Sequence, residues 1–198
     1  MSTRFFAEYP APGGFGHSSR RPAATEIEAL FRAEFFAEFN TLLLGGGDEP
    51  VYLPADESTP FHRLVYRADY VSSALHEIAH WCIAGDSRRL LVDFGYWYAP
   101  EDRNTEQQQN FEQAELKPQA LEWCFSAAAN IEFQVSVDNF AVDAKQRQIF
   151  SARVRRQLER YLQTGLPDRA VRFHAALLAQ HGGLSLPDTL DFPVGEKA

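Results

Sequence analysis

The sequence predicts an α+β fold: a helix-rich single domain with a small antiparallel or mixed sheet. Three observations lead there. Apolar residues recur at helical spacing in several long segments. Short runs rich in Val, Tyr and Leu, bounded by Pro and Gly, read as strands between those segments. The order of helix, strands, helix, strand and helices then suits a sheet covered by helices. With 198 residues, 45% of them hydrophobic, the chain can bury roughly two-thirds of its unfolded surface without staples.

Met1 to about Arg21 contains Pro10, Pro12, Gly13, Gly14, Gly16, Ser18 and Ser19. It offers little apolar surface to offset the cost of ordering, so residues 1–22 are expected to form a flexible arm and 23–198 the domain. Thr25, as N-cap with Glu28 three residues on, opens a helix whose stripe is Ile27, Leu30, Phe31, Phe35, Phe39 and Leu42. Gly45-Gly46-Gly47 is expected to end it. Val51-Tyr52-Leu53 and Leu64-Val65-Tyr66 read as short strands separated by a turn with Pro54 and Pro60. Tyr70 to Ala84 reads as a helix stopping at Gly85. Leu90 to Tyr98 reads as a strand with Val92, Phe94, Tyr96 and Tyr98 on one face. A helical region runs from about Glu106 to Ile131, interrupted or restarted at Pro118. Helices over about Ala144 to Gln163 and Pro167 to His181 complete the domain.

The formal net charge of −8 argues against a nucleic-acid surface, which needs clustered Lys and Arg, and accords with a cationic substrate. The two cysteines, Cys82 and Cys124, suit a reducing compartment. No run of eighteen apolar residues and no signal-peptide core is found, so no membrane association and a cytoplasmic location are expected.

Chemistry concentrates in His76-Glu77-Ile78-Ala79-His80. Residues four apart share a helix face, so His76 and His80 can meet one metal ion, with Glu77 close enough to contact a metal-bound water. This makes the segment a zincin-like His-Glu-x-x-His helix. A third ligand is sought in Phe111 to Trp123. On one continuous helix Glu115 and Glu122 share a face but stand about 10.5 Å apart along the axis, too far for both to bind one ion. We favour Glu115 as the ligand, with Glu122 either orienting a ligating histidine or replacing Glu115 as the ligand. Two histidines and one carboxylate leave open positions, which suit catalytic zinc and non-haem iron(II) equally. Motif statistics lean towards a zinc peptidase using Glu77 as general base. A metal-stabilised binding module without turnover is a third reading.

Other residues carry weaker signals. Cys82 and Cys124 are turned away from the ligand positions and read as core thiols. His62, His174 and His181 read as turn, structural or solvated histidines. Tyr96 and Tyr98 are candidates to line a substrate cleft, and Trp81 and Trp123 to wall the site with apolar surface. Arg88-Arg89 reads as a contact for an acidic partner or a solvated turn.

Four longer strings extend the reading: Glu49 to Ala55 (EPVYLPA), Ala74 to Gly85 (ALHEIAHWCIAG), Leu91 to Tyr98 (LVDFGYWY) and Glu115 to Trp123 (ELKPQALEW). Through these the chain resembles the elongation factor P hydroxylase family over roughly residues 25 to 180. The Pro100-Glu101-Asp102-Arg103 loop departs from the pattern, where a glycine before the arginine is expected. The resemblance implies a protein-lysine hydroxylase, an oxidoreductase of the monooxygenase type. Its implied substrates are β-lysylated elongation factor P and molecular oxygen. It also implies a metal site of two histidines and a carboxylate, placed on His76, His80 and Glu115, with Fe(II) the expected ion and another divalent metal the alternative. The usual 2-oxoglutarate oxygenases place their ligands on a double-stranded β-fold, so a helical motif implies no 2-oxoglutarate.

Overall fold

The computed structural model describes residues 21–95, 104–137 and 144–195. The expected arm, 1–22, thus lies almost wholly outside the described residues, as do Tyr96, Tyr98 and the Pro100 to Arg103 loop.

Helix α1 (Ala24–Phe39) begins one residue before the expected cap. Ala23, in extended backbone, takes the N-cap position, and its N–H donates to the Glu26 carboxylate at 2.7 Å. Thr25 therefore sits inside the first turn. Glu28 serves a different end, accepting from the Tyr66 hydroxyl at 2.8 Å and the Gly45 N–H at 2.9 Å. The predicted stripe holds as far as Phe39, with Ile27, Phe31 and Phe35 fully buried, whereas Leu42 lies beyond the helix, in the strand that follows. The helix is closed not by the glycines but by Asn40, whose left-handed backbone (φ 48°) returns an N–H to Phe36. Asn tolerates this conformation better than most residues. Gly45-Gly46-Gly47 instead lie in strand β1 (Thr41–Gly47). A Cβ at Gly45 would stand 2.6 Å from the Tyr66 hydroxyl, so glycine is needed there for close approach, not for stopping a helix.

Strands β2 (Val51–Leu53) and β3 (His62–Arg67) complete a three-stranded mixed sheet of order β1-β3-β2. The β1–β3 pair is parallel, with Leu43 opposite Leu64, and the β2–β3 pair is antiparallel, with Tyr52 opposite Leu64. Leu43, Tyr52, Leu64 and Tyr66 are buried.

Helix α2 (Val71–Ile83) follows as predicted. The strand expected over Leu90 to Tyr98 does not. Arg88–Leu90 and Val92–Gly95 form short 3-10 turns, and Asp93 and Phe94 both have left-handed backbone, φ 48° and 55°. The cause lies across the chain. The Asp93 carboxylate accepts the outward N–H of Tyr52 at 2.8 Å, and Phe94 stacks on the Tyr52 ring at 4.3 Å. A side chain thus occupies the free edge of β2, the place where a strand would have paired. Val92 is consequently exposed while Phe94 is buried, so the two do not share a face.

Helix α3 (Thr105–Ala129) is capped by Asn104, whose side chain accepts from Gln107 N–H at 2.9 Å, and it ends at left-handed Asn130. It runs through Pro118 without interruption. Proline removes the hydrogen bond to the Ala114 carbonyl. Burial of everything from Pro118 to Ala129 offsets that loss. A helix buried all round is the centre of a bundle; here α2, α4 (Ala144–Thr164) and α5 (Asp168–His181) pack around α3. A two-residue parallel pair, β4 (Phe133–Gln134) with β5 (Val194–Gly195), ties down the end of the chain. Phe31, Phe35, Trp81 and Phe173 interlock in the core, with ring centroids 4.8 to 6.2 Å apart. Each such fully buried ring contributes about 1.5–3 kcal/mol of transfer free energy. No helix among the described residues is long and apolar enough to cross a membrane.

Candidate metal centre

The apolar face of α2 decides where its histidines point. Ala74, Leu75, Ile78, Ala79, Trp81 and Cys82 are buried, which leaves His76 and His80 on the seam with α3. The C-terminal end of α2 is held by two guanidinium groups. Arg169 Nη2 donates to the Trp81 and Cys82 carbonyls at 2.9 and 3.2 Å and to that of Ala84, while Arg89 Nη1 donates to Ala84 at 3.0 Å. Cations at this negative end of the helix dipole satisfy carbonyls that have no partner within the helix. Arg169 also lies over the Trp81 ring at 4.6 Å. Nothing in the sequence flags Arg169, which is 85 residues beyond Ala84.

The seam brings together the residues the motif predicts. His76 Nε2 and His80 Nε2 are 3.1 Å apart, and the Glu115 carboxylate stands 3.3 Å from the first and 3.2 Å from the second. Glu122 Oε2 is 2.8 Å from His76 Nδ1. Glu115 and Glu122 thus serve the same histidine from two turns of α3, one on each ring nitrogen. A carboxylate accepts only, so Nδ1 donates to Glu122 and Nε2 is the nitrogen turned towards Glu115 and His80. A metal-ligating histidine held by an outer carboxylate has this arrangement, and Nε2 would become a ligand once a cation replaced the proton it shares with Glu115. Around one ion at about 2.1 Å, ligand atoms lie about 3.0 Å apart at right angles and about 3.4 Å apart in a tetrahedron. The observed spacings of 3.1 to 3.3 Å fall between these. The donor set His76, His80 and Glu115 therefore fits a divalent cation.

Electrostatics follow from crowding. Burial pulls the His76 pKa down, but Glu115 and Glu122 outweigh it and hold the imidazole well above its ordinary value. Burial would raise Glu115, yet His80 and His76 keep it well below the carboxylate range. Glu77 is raised by burial above all, with Glu115 and Asp93 adding to the effect against the opposing pull of the histidines. The His76 and His80 side chains are 25% and 15% exposed against 5% for Glu115, so the group opens on the histidine side. There a cleft of about 560 Å³, lined by His80, Ile83, Gly85, Arg88, Gln113 and Lys117 among others, reaches the surface.

The remaining candidates fall elsewhere. Trp81 belongs to the aromatic core, against Phe31, Phe35 and Phe39, and Trp123 stacks on Phe133 at 5.3 Å. Neither ring is a wall of the site: a residue next to a ligand on a helix is turned about 100° away from it. Cys82 and Cys124 are buried free thiols, as expected, and burial pushes the Cys82 thiol up to about 12. His62 accepts from the Ala55 N–H at 3.0 Å in its own turn. Asp93 was hidden inside an expected strand. Its place beside Glu77 had no signal in the local sequence.

A family model described as elongation factor P hydroxylase matches residues 30–188. The chain belongs to this family. A protein of Haemophilus influenzae named elongation factor P lysine hydroxylase is 46% identical over 154 residues, which is 78% of this chain and 86% of that protein. The matched span includes His76, His80, Glu115 and Glu122.

Proposed function

We propose that this protein is a metal-dependent, non-haem iron hydroxylase that adds one oxygen atom to the β-lysylated lysine of elongation factor P. The observation that carries the reading is the convergence of His76, His80 and Glu115 at one open seam in a chain of this family. In this reading these three side chains hold Fe(II), and Glu122 orients His76. Catalysis is assigned to residues 23–198, in the cytoplasm, where iron(II) and the two reduced thiols are compatible.

When bound, the metal supplies activation of molecular oxygen. Overall, a C–H bond becomes C–OH, the second oxygen atom leaves as water, and an external reductant provides two electrons with two protons. The chain's own residues do the rest. Glu115 and the two imidazoles occupy one side of the metal position and leave the cleft side for reactants. The buried α2–α3 seam keeps bulk water from the other side. Glu77 has no hydrogen-bond partner among the described residues, and its carboxyl receives an ammonium of the extended substrate side chain. Holding the chain at both its backbone and its amino end places one methylene beside the site, which is where positioning contributes most to the rate. Tyr96 and Tyr98 are assigned to the lining of the substrate path.

The test is intact-mass spectrometry of β-lysylated elongation factor P incubated with the protein, iron(II), a reductant and air. A gain of one oxygen atom is expected on the modified factor, with little on the unmodified one. Cleavage of the factor, or an unchanged mass with stoichiometric iron bound, overturns the reading.

A further inference from the structure

Leu90, Leu91 and Val92 are consecutive aliphatic residues that are 71%, 51% and 56% exposed. Single exposed aliphatics are ordinary, but three together form a contiguous apolar surface of the kind that marks contact sites. They are not exposed because the turn is loose. Leu91 N–H bonds Arg88 carbonyl at 3.0 Å, Phe94 N–H bonds Leu91 carbonyl at 3.1 Å, and Arg88 Nη1 donates to Phe94 carbonyl at 3.0 Å. The Tyr52 hydroxyl donates to Arg89 carbonyl at 2.9 Å, and Asp93 fixes the far end through Tyr52 N–H. Gly95, at φ 72°, lets Leu91 pack where a Cβ would stand 2.7 Å from its Cδ1. The backbone is thus pinned from both sides with its aliphatic side chains held outward.

This turn adjoins the cleft beside His80, for Arg88 belongs to both. In a chain with a net charge of −8, the charged side chains among the described residues lining that cleft are Arg88 and Lys117, both cations. Lys117 is exposed and forms no ion pair among the described residues. A hydroxylase of a protein lysine must hold a folded partner against the mouth of its cleft, and this rim is what that partner meets.

We propose that Leu90-Leu91-Val92, at the mouth of the cleft that Lys117 lines, is the docking rim for the protein substrate, and that it receives an apolar surface bordered by carboxylates next to the modified lysine. This rests on the hydroxylase reading. A rigid aliphatic foot contributes apolar burial at little ordering cost, and the Lys117 cation favours orientation and the rate of encounter.

The test compares the full chain with its L90S/L91S/V92S variant, using two substrates: intact β-lysylated elongation factor P and a short synthetic peptide carrying the same modified lysine. The variant is expected to raise KM for the intact factor about tenfold with kcat within about twofold, and to leave peptide turnover unchanged. Its Tm should move by no more than about 2 °C, because the side chains are solvated. An unchanged KM for the factor, or equal losses on both substrates, overturns the proposal. A change from dimer to monomer on substitution, with KM unaffected, assigns the patch to a second copy and overturns it as well. If the wild type oxidises neither substrate, the hydroxylase reading fails by itself. Binding of the factor to wild type and variant, measured by surface interferometry, then still decides the docking claim: equal affinities refute it.

Discussion

The α2–α3 seam and the turn that follows α2 are neighbours, yet they are built by different means. On the seam, position follows from helical spacing. His76 and His80 share a face because they are four apart, and Glu115 and Glu122 because they are seven apart. In the turn, position follows from distant side chains: Tyr52 and Asp93 across 41 residues, and the Tyr52 hydroxyl with Arg89 across 37. The seam spends its polar groups on chemistry while the turn spends them on shape. Substitutions of these polar groups should therefore separate the two regions, removing function without stability in the first and stability before function in the second.

The largest effect is expected at the seam. His76→Ala, His80→Ala and Glu115→Ala should each lower activity by about 10³-fold or more and abolish stoichiometric iron(II) binding, with a Tm near that of wild type. Titration calorimetry beside thermal denaturation checks both halves. Stoichiometric iron in Glu115→Ala together with its loss in Glu122→Ala would exchange the roles given to the two carboxylates. Glu122→Ala itself should weaken metal binding about 10- to 100-fold, the cost of freeing the His76 ring.

At the end of α2 the sign reverses. Arg169→Ala leaves the Trp81 and Cys82 carbonyls without their donor, leaves Ala84 with Arg89 alone and uncovers the Trp81 ring, and about 2–3 kcal/mol of stability should be lost in urea unfolding. Metal affinity should fall less than for Glu122→Ala. Asp93→Ala strands the Tyr52 N–H and should cost about 1–2 kcal/mol, whereas Asp93→Asn keeps an acceptor and tolerates the left-handed backbone. If Asp93→Asn is as damaging as Asp93→Ala, the edge bond is not what shapes the turn.

The smallest effect tests a histidine outside both regions. His174 on α5 is 2% exposed, its Nε2 has no partner among the described residues, and burial lowers its pKa to about 4. Its folded pKa lies below the ordinary value of 6.5. The unfolded chain therefore takes up a proton first as the pH falls, and stability present above about 6.5 declines towards 4. Between pH 6.5 and 5 this amounts to about 1–2 kcal/mol, and His174→Phe should flatten that part of the stability profile.

How much of this was legible follows from the same contrast. The seam was readable because its proposed ligands lie on helices whose phase is fixed by their own apolar residues, Leu75 and Ile78 on one side and Ala120 and Leu121 on the other. Glu115 and Glu122 were both candidates, and only the packing of α3 on α2 assigns them to different nitrogens of His76. The end of α1 was misread because Asn40 does what glycine usually does, while Gly45 is needed for contact with Tyr66. The turn was misread because alternating apolar residues such as Val92 and Phe94 mimic a strand. Its real determinant, a carboxylate capping a sheet edge, depends on a residue 41 positions away. Local pattern fixes phase within an element. It does not say which edge a distant side chain will occupy.

All three of the proposed ligands stand on helices whose packing is apolar, and none comes from a loop that an ion would have to gather. Folding then does not wait for metal, in contrast to small zinc domains that are unfolded without it. On the proposed assignment such a site can be loaded after folding, and affinity for its nitrogen and oxygen donors would rise from manganese towards copper whatever the reaction needs. Metal availability then has a part in deciding the occupant. Protein purified after overproduction should carry the ions of its growth medium, and its activity should track the iron fraction among them.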